Sequence, residues 1–516
     1  MRPLLTKQTC VKISPLQQAL VLVDGDAYYR AFYDVARTAR RSLCMLGWQF
    51  DTLAQLLPNG DQSDQDRFLP FLNALCEAAP ELRVFIGVWD YSLVYAIERE
   101  WFQRWKFDQQ AHARIEFRLL RHPQPGGAHH QKIVVVDERV AFTGGFDVCD
   151  ERWDERSHAI HHPRRINVKG RPYGPFHDVQ VMLTGRVVRE LSTLFWQAWS
   201  HGRTNGVGEW HDTRQAGPDV PRTEPESIPA FSPDGTPLSA SRVGLSRTIY
   251  GGSNGGVYEV QRLYECSIAA AERLIYIENQ YFTSRAVTQA LAARLSERHR
   301  AKLQILLVMP NGGHSKKEQF VLGSRQRLML CLLSELAHQH GHQMRLLMSC
   351  PKQGSNSQAT YIHSKLMIVD DRLLTIGSAN LMNRSFRVDY ELNVSFDAAL
   401  EPPERAARLT DEIASLRASL LAEHAGLAEC DPFRAVDTLV KRVDEVCELR
   451  DSKLACQALR LPPTDGPLRA EVFDPSGPFR WESFDVAIEQ ALSEDHGPVR
   501  SRARRFGQRL GLVDIE

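Results

Sequence analysis

His130-Gln131-Lys132-Ile133-Val134-Val135-Val136-Asp137 reads as a short buried strand with an imidazole and an ammonium at its head. The same order returns as His363-Ser364-Lys365-Leu366-Met367-Ile368-Val369-Asp370, an offset of 233 residues (363 − 130). Each copy continues alike, with a second apolar run at 140–143 or 373–376, then Gly144-Gly145 or Gly377-Ser378. An offset that holds through successive features is the mark of an internal duplication. Working outward, apolar runs at 19–23, 43–48, 274–277 and 303–309 read as strands, and 27–41, 257–273 and 287–298 read as helices. Short apolar runs alternating with helical stretches predict α/β layers. The expected fold is α/β: two similar α/β-sandwich lobes packed face to face with pseudo-twofold symmetry.

Four parts are expected along the chain. Residues 1–201 form an N-terminal lobe carrying the first motif, and 247–426 a C-terminal lobe carrying the second. Between them, 202–246 is rich in Gly, Pro, Asp, Thr and Ser and reads as an inter-lobe linker. Residues 427–516 form a partly helical extension that follows an amphipathic helix at 404–426.

Composition narrows the class. The 516 residues hold 63 Lys+Arg against 63 Asp+Glu, so no global positive field gathers nucleic acid, and no such partner is expected. The ten cysteines form no CxxC pair, a pattern that suits reduced thiols better than a disulfide framework. No window approaches 18 consecutive apolar residues, and residues 1–23 are interrupted by Lys7, Gln8, Lys12, Gln17 and Gln18. A cytoplasmic, monomeric protein, peripheral at a membrane, is the expectation, with secretion lacking a cleaved signal as the other route.

On a strand, His130 and Lys132 lie two residues apart and share a face. One such face can bind a phosphate. Two of them can complete a displacement, because histidine serves near neutral pH both as nucleophile or base and as acid. A covalent phosphohistidine would divide one difficult step into two easier ones, and paired lysines would stabilise charge on the non-bridging oxygens. The candidate catalytic set is His130, Lys132 and Asp137 with His363, Lys365 and Asp370. Both aspartates stand at strand ends and read as residues that tie down a turn. His129 is out of register with Lys132 and reads as a neighbour. No metal or cofactor is expected.

These motifs resemble the phospholipase D superfamily over roughly residues 20–426. The second copy continues Gly377-Ser378-Ala379-Asn380-Leu381-Met382-Asn383-Arg384-Ser385 and is preceded by Ile275-Tyr276-Ile277-Glu278-Asn279-Gln280-Tyr281-Phe282, similar to the eukaryote-type branch. The first half adds Gly144-Gly145-Phe146-Asp147-Val148-Cys149-Asp150, Arg152-Trp153-Asp154 and Pro175-Phe176-His177-Asp178. The resemblance implies His130 as nucleophile and His363 as general acid. It implies that Lys132, Lys365, Asn380 and Ser378 hold the phosphate, and that Asp178 and Glu391 orient the two histidines. Asp147 departs from the pattern, standing where the second copy has Asn380, and reads as structural. Lipid-targeting modules common in that branch do not fit in the 20 or so residues before the first strand. Arg500, Arg502, Arg504, Arg505 and Arg509, interleaved with Phe506 and Leu510, suggest a solvated or interfacial basic helix. The implied activity is phospholipase D or phosphatidyl transfer, with a phospholipid at a membrane surface as substrate and water or an alcohol as acceptor. Cardiolipin synthase-type transfer and, behind it, cleavage of nucleic acid are the alternatives. Lipid turnover and an effector toxin would use the same residues.

Overall fold

The computed structural model describes residues 2–58, 66–90, 100, 103–124, 126–201, 234–251, 255–311, 316–351, 358–459 and 474–475. The first half of the chain gives β1 (Lys12–Pro15), β2 (Gln18–Val23), α1 (Asp24–Ala36), β3 (Ser42–Gly47), α2 (Phe68–Ala78), β4 (Arg83–Trp89), α3 (Gln103–Gln110), β5 (Ile115–Leu120), β6 (Ile133–Val136), β7 (Val140–Gly144), β8 (Phe176–His177), β9 (Val179–Thr184) and α4 (Val187–His201). The second gives β10 (Thr236–Leu238), β11 (Arg242–Ile249), β12 (Val257–Tyr258), α5 (Glu259–Ala270), β13 (Leu274–Asn279), α6 (Arg285–Leu295), β14 (Gln304–Val308), α7 (Lys316–Gln339), β15 (Gln343–Ser349), β16 (Tyr361–Ile362), β17 (Lys365–Val369), β18 (Leu373–Gly377), α8 (Asn383–Arg387), β19 (Glu391–Asp397), α9 (Pro403–Ala425), α10 (Leu439–Glu448) and β20 (Leu454–Cys456).

The duplication is written in the strand order. One sheet runs β10-β2-β9-β7-β6-β3-β4-β5, and the other runs β1-β11-β19-β18-β17-β13-β14-β15-β20 with β12 on β11. Seven strands in each follow the same path, with β6 and β17, the motif strands, at its centre. Two strands cross over: β1 pairs with β11 of the second sheet, and β10 returns to pair with β2 of the first. The expected linker therefore ends in strands. Its residues 236–238 and 242–246 lie in β10 and β11 because sheet edges recruit them, while 202–233 lie outside the described residues.

Side-chain alternation explains the layers. Ile133 and Val135 join Leu366 and Ile368 in one core shared by both sheets, to which α4 and α9 add Leu191, Phe195, Leu409, Leu416 and Leu420. The intervening Val134 and Val136 face outward under α1 and α2. Met367 and Val369 likewise face outward toward α5 and α6. With both faces of each sheet covered, the motif strands must be apolar throughout, which is why they read as unbroken runs. Each fully buried Val, Leu or Ile contributes about 1.5–3 kcal/mol to the association of these layers.

The motif aspartates close the hairpins that follow β6 and β17. Asp137 and Glu138 (φ 50° and 53°) and Asp370 and Asp371 (φ 54° and 51°) are consecutive left-handed residues in tight turns. The strain of non-glycine residues there is offset by the aspartate carboxylates. Asp137 accepts the N–H groups of Arg40, Arg41 and Ser42 at 2.8–2.9 Å. Asp370 accepts those of Glu272, Arg273 and Leu274 at 2.8 Å. The helix expected over 27–41 ends at Ala36, and the first clamp holds the bend at residues 40–41 that leads into β3. The helix expected from residue 257 starts at Glu259, because Val257 and Tyr258 pair with Ile249 and Thr248 as a strand. Beyond residue 426, β20 adds an edge strand to β15, and the basic stretch 500–510 lies outside the described residues.

Candidate active site

The two motif heads meet across the lobe boundary by a reciprocal exchange of backbone. Tyr361 and Ile362 of the second lobe pair in parallel with Phe176 and His177 of the first, and His363 N–H donates to the His177 carbonyl at 2.8 Å. In the other direction, Tyr390 N–H donates to Ala128 O at 2.8 Å, and His130 N–H to Tyr390 O at 2.9 Å. Each histidine therefore sits just ahead of its own strand, held by the opposite lobe. This differs from the simple reading of His130 and Lys132 as neighbours on one strand face, since β6 begins only at Ile133.

The same exchange brings a carboxylate to each imidazole. His130 Nδ1 lies 3.0 and 3.2 Å from the oxygens of Glu391. His363 Nδ1 lies 2.5 Å from Asp178 Oδ2. Both carboxylates are fully buried, whereas the histidine side chains keep 15% and 13% exposure toward the cleft. With the N–H on Nδ1 facing a carboxylate, Nε2 of each ring is left as the working nitrogen. Gly145 makes the second pair possible, because a Cβ there would stand 2.0 Å from Asp178 Oδ1.

Burial first, then Lys132 and Lys365, hold His130 well below the usual imidazole range. Burial, Lys365 and Arg152 do the same to His363. Both shifts weaken the hold of each ring on a second proton. Burial lifts Asp178 to about 6. Burial and then Asp389 lift Glu391 to about 8, while the Ser378 and Ser385 hydroxyls and Lys132 pull it back. The raised Asp178 lets the His363–Asp178 pair take up a shared proton as pH falls toward about 6, which supplies the proton that the acid half of a displacement requires.

The lysines are not equivalent. Lys132 Nζ pairs with Asp147 Oδ2 at 3.0 Å, and Asp147 Oδ1 also accepts Trp48 N–H at 3.0 Å. Lys365 Nζ instead donates to the neutral Gln280 Oε1 at 3.1 Å. Burial, the largest cause, lowers Lys365 to about 7. Asn380 is buried with its Oδ1 without a hydrogen-bond partner among the described residues. Ser378, expected at the phosphate, is fully buried and donates its hydroxyl to Glu391, so it braces that carboxylate instead. Asp137 and Asp370 stand at the far ends of β6 and β17, in the turns described above. His129 points its Nε2 at Arg121 O, 3.1 Å away.

Sequence reasoning missed Gln280 as the partner of Lys365, and Arg152, which lies over Phe176 at 4.8 Å and acts on His363. Both fall within quoted stretches, but nothing in their spacing assigns them a role. A cleft with two imidazoles, two lysines and a buried carboxylate behind each ring is equipped for in-line displacement at phosphorus.

Comparison with known proteins finds two matching family models and a set of similar chains. A family model described as "Phospholipase D" matches residues 126–292, and one described as "Cardiolipin synthase, PLD-like domain" matches 264–417. Phospholipase D A of Dictyostelium discoideum is 25% identical over 475 residues, covering 78% of this chain and 35% of that protein. Phospholipase D alpha 1 of Zea mays is 26% identical over 425 residues, covering 62% and 51%. The chain thus spans about half the length of these relatives or less. The crystal structure of phosphatidylserine synthase from Haemophilus influenzae superposes with a TM-score of 0.52 at 14% identity, covering 84% of this chain and 94% of that one, which bears on the fold alone.

Proposed function

The chain belongs to the phospholipase D superfamily, and on that footing we propose that it cleaves or transfers phosphatidyl groups through a phosphohistidine. The observation that carries the proposal is the pair of cross-lobe contacts, His130 with Glu391 and His363 with Asp178, which place two oriented imidazoles in one cleft.

In the first step His130 Nε2 attacks phosphorus, and the bond to the head-group oxygen breaks as that oxygen takes a proton from His363 Nε2. Glu391 keeps Nδ1–H on His130, aims Nε2 and balances the positive charge that develops on the ring. Lys132, Lys365 and the Asn380 amide hold the non-bridging oxygens. In the second step an acceptor hydroxyl gives its proton to His363 and attacks phosphorus, and the phosphorus–nitrogen bond breaks. Water yields phosphatidic acid, and an alcohol yields a phosphatidyl ester. The proposed substrate is a glycerophospholipid, phosphatidylcholine or phosphatidylethanolamine, taken from a membrane surface. Among the described residues no helix is long and apolar enough to cross a membrane.

The test is to incubate the protein with mixed phospholipid vesicles and ethanol, with EDTA added only for the assay. Phosphatidylethanol that forms with wild type and disappears in His130→Ala supports the proposal. Intact lipid alongside cut plasmid DNA would replace it with a nuclease.

A further inference from the structure

Directly behind the catalytic cleft lies a second cluster of ionisable groups that the displacement chemistry leaves unused. Asp24, at the start of α1, His158 and His177 come from the first lobe, and Glu423, near the end of α9, comes from the second. Their side chains are 0–2% exposed. Five atoms of these four residues converge. His177 Nδ1 lies 2.9 Å from Asp24 Oδ1 and 2.8 Å from Glu423 Oε1. His158 Nε2 lies 3.3 Å from Asp24 Oδ2 and 3.1 Å from Glu423 Oε1. One donor atom from each residue lies within 4.8 Å of the others. Tetrahedral zinc, with bonds of about 2.0–2.1 Å, needs ligand–ligand edges of about 3.3 Å.

Hydrogen bonding leaves the cluster unfinished at one point. Among the described residues, neither oxygen of Asp24 and not the Nδ1 of His177 has a hydrogen-bond partner, although all three atoms are buried. The contacts of Asp24 with His177 and His158 at 2.9 and 3.3 Å are ion pairs that are not hydrogen bonds, and a buried carboxylate without hydrogen-bond donors is costly. The neighbouring Glu278 shows the contrast. Its oxygens accept from Tyr276 Oη, His424 Nε2, Ser364 Oγ and His177 Nε2 at 2.5–2.9 Å, so its hydrogen-bonding capacity is filled.

The outer ring completes the pattern. His177 Nε2 faces Glu278 at 2.9 Å, and His158 Nδ1 faces Asp154 at 2.8 Å. A carboxylate on the far nitrogen of each imidazole is the usual support of a metal-bound histidine, fixing which nitrogen is free to coordinate. Arg156 holds the other oxygen of Glu423 at 2.5 Å, so Glu423 offers one oxygen inward.

We propose that Asp24, His158, His177 and Glu423 bind one zinc ion that staples the two lobes together. Two neutral imidazoles and two carboxylates balance the charge of a divalent ion. Two nitrogens with two oxygens suit zinc, whereas calcium takes six to eight oxygens and magnesium an octahedral oxygen shell. The ion is structural, with four protein ligands and no open position. It would also brace the cleft, since His177 immediately precedes Asp178 and Ser364, which contacts Glu278, follows His363.

The test uses the full chain without a histidine tag, purified from zinc-supplemented cells. Elemental analysis is expected to give one zinc per chain. Prolonged dipicolinate treatment should remove it and lower the melting temperature by on the order of 5 °C, with zinc and not magnesium restoring it. Glu423→Gln and His158→Asn should lose the metal, and His130→Ala should retain it. A wild-type protein that holds no transition metal and whose melting temperature ignores added zinc overturns the proposal and leaves a proton-linked ion-pair network. Zinc lost from His424→Gln but retained by Glu423→Gln overturns the ligand assignment, and zinc lost from His130→Ala overturns its location.

Discussion

Replacing Glu391 with glutamine should cripple turnover while leaving the fold and substrate binding nearly intact. Glu391 is fully buried, accepts Nδ1–H of His130 at 3.0 Å and takes the Ser378 hydroxyl on the same oxygen. Glutamine fits the same volume but turns one acceptor into a donor. If its NH2 faces His130, the ring must move its proton to Nε2 and cannot attack phosphorus. If its oxygen keeps that position, His130 and Ser378 both still donate to it, and the tautomer survives while the negative charge behind the phosphorylated ring is lost. The first outcome forfeits the full 10²–10⁴-fold of an oriented acid–base group, and the second forfeits its lower part. About 10³-fold in kcat is expected, equivalent to about 4 kcal/mol. KM should change little, because Glu391 sits behind the histidine, away from substrate. The assay is release of nitrophenol from bis(p-nitrophenyl) phosphate, alongside a melting curve to show that the variant folds. A folded Glu391→Gln protein with kcat within about threefold of wild type would refute the claim that Glu391 fixes the His130 tautomer.

Three further outcomes follow from the same geometry. Lys365 is lowered to about 7 by burial, so its charge is present below that pH and lost above it; kcat/KM should fall as pH rises through about 7, and Lys365→Arg should move that limb upward, whereas a wild-type profile flat to pH 9 would contradict the role of Lys365. Gly145→Ala would place a Cβ 2.0 Å from Asp178 Oδ1, displacing the carboxylate from His363, with a loss of activity of about 10²-fold or more; a folded Gly145→Ala protein with wild-type kcat would contradict the pairing of Asp178 with His363. Asp370→Ala removes the acceptor for three backbone N–H groups and should cost about 2 kcal/mol in denaturant unfolding while activity per folded molecule stays within about twofold; loss of kcat at unchanged stability would return Asp370 to the chemistry.

The sequence makes the duplication legible because both motif strands are buried on two faces and cannot hide their apolar runs. His130, Lys132, His363 and Lys365 were readable for the same reason: polar groups at the head of such strands stand out. The strand exchange was not readable. Thr236-Pro237-Leu238 looks like linker, and only the free edge at β2 turns it into a strand. Ser378 carries no local sign that its hydroxyl faces Glu391, thirteen positions along, instead of phosphate. The Asp24, His158, His177 and Glu423 cluster is assembled from segments up to 399 residues apart (423 − 24), with no ligand spacing to betray it. Asp178 and Glu391 came from resemblance, and the cross-lobe pairing gives each a physical reason.

The central claim is that one shared site works through a phosphohistidine on His130, with His363 as its acid. The direct measurement is mass-spectrometric mapping after base quenching of His363→Ala with a nitrophenyl-activated phosphodiester, whose leaving group needs no acid. A phosphoryl adduct on His130 should accumulate in His363→Ala and be absent in His130→Ala. An adduct on His363 in wild type, or steady turnover with His130 replaced, would contradict it.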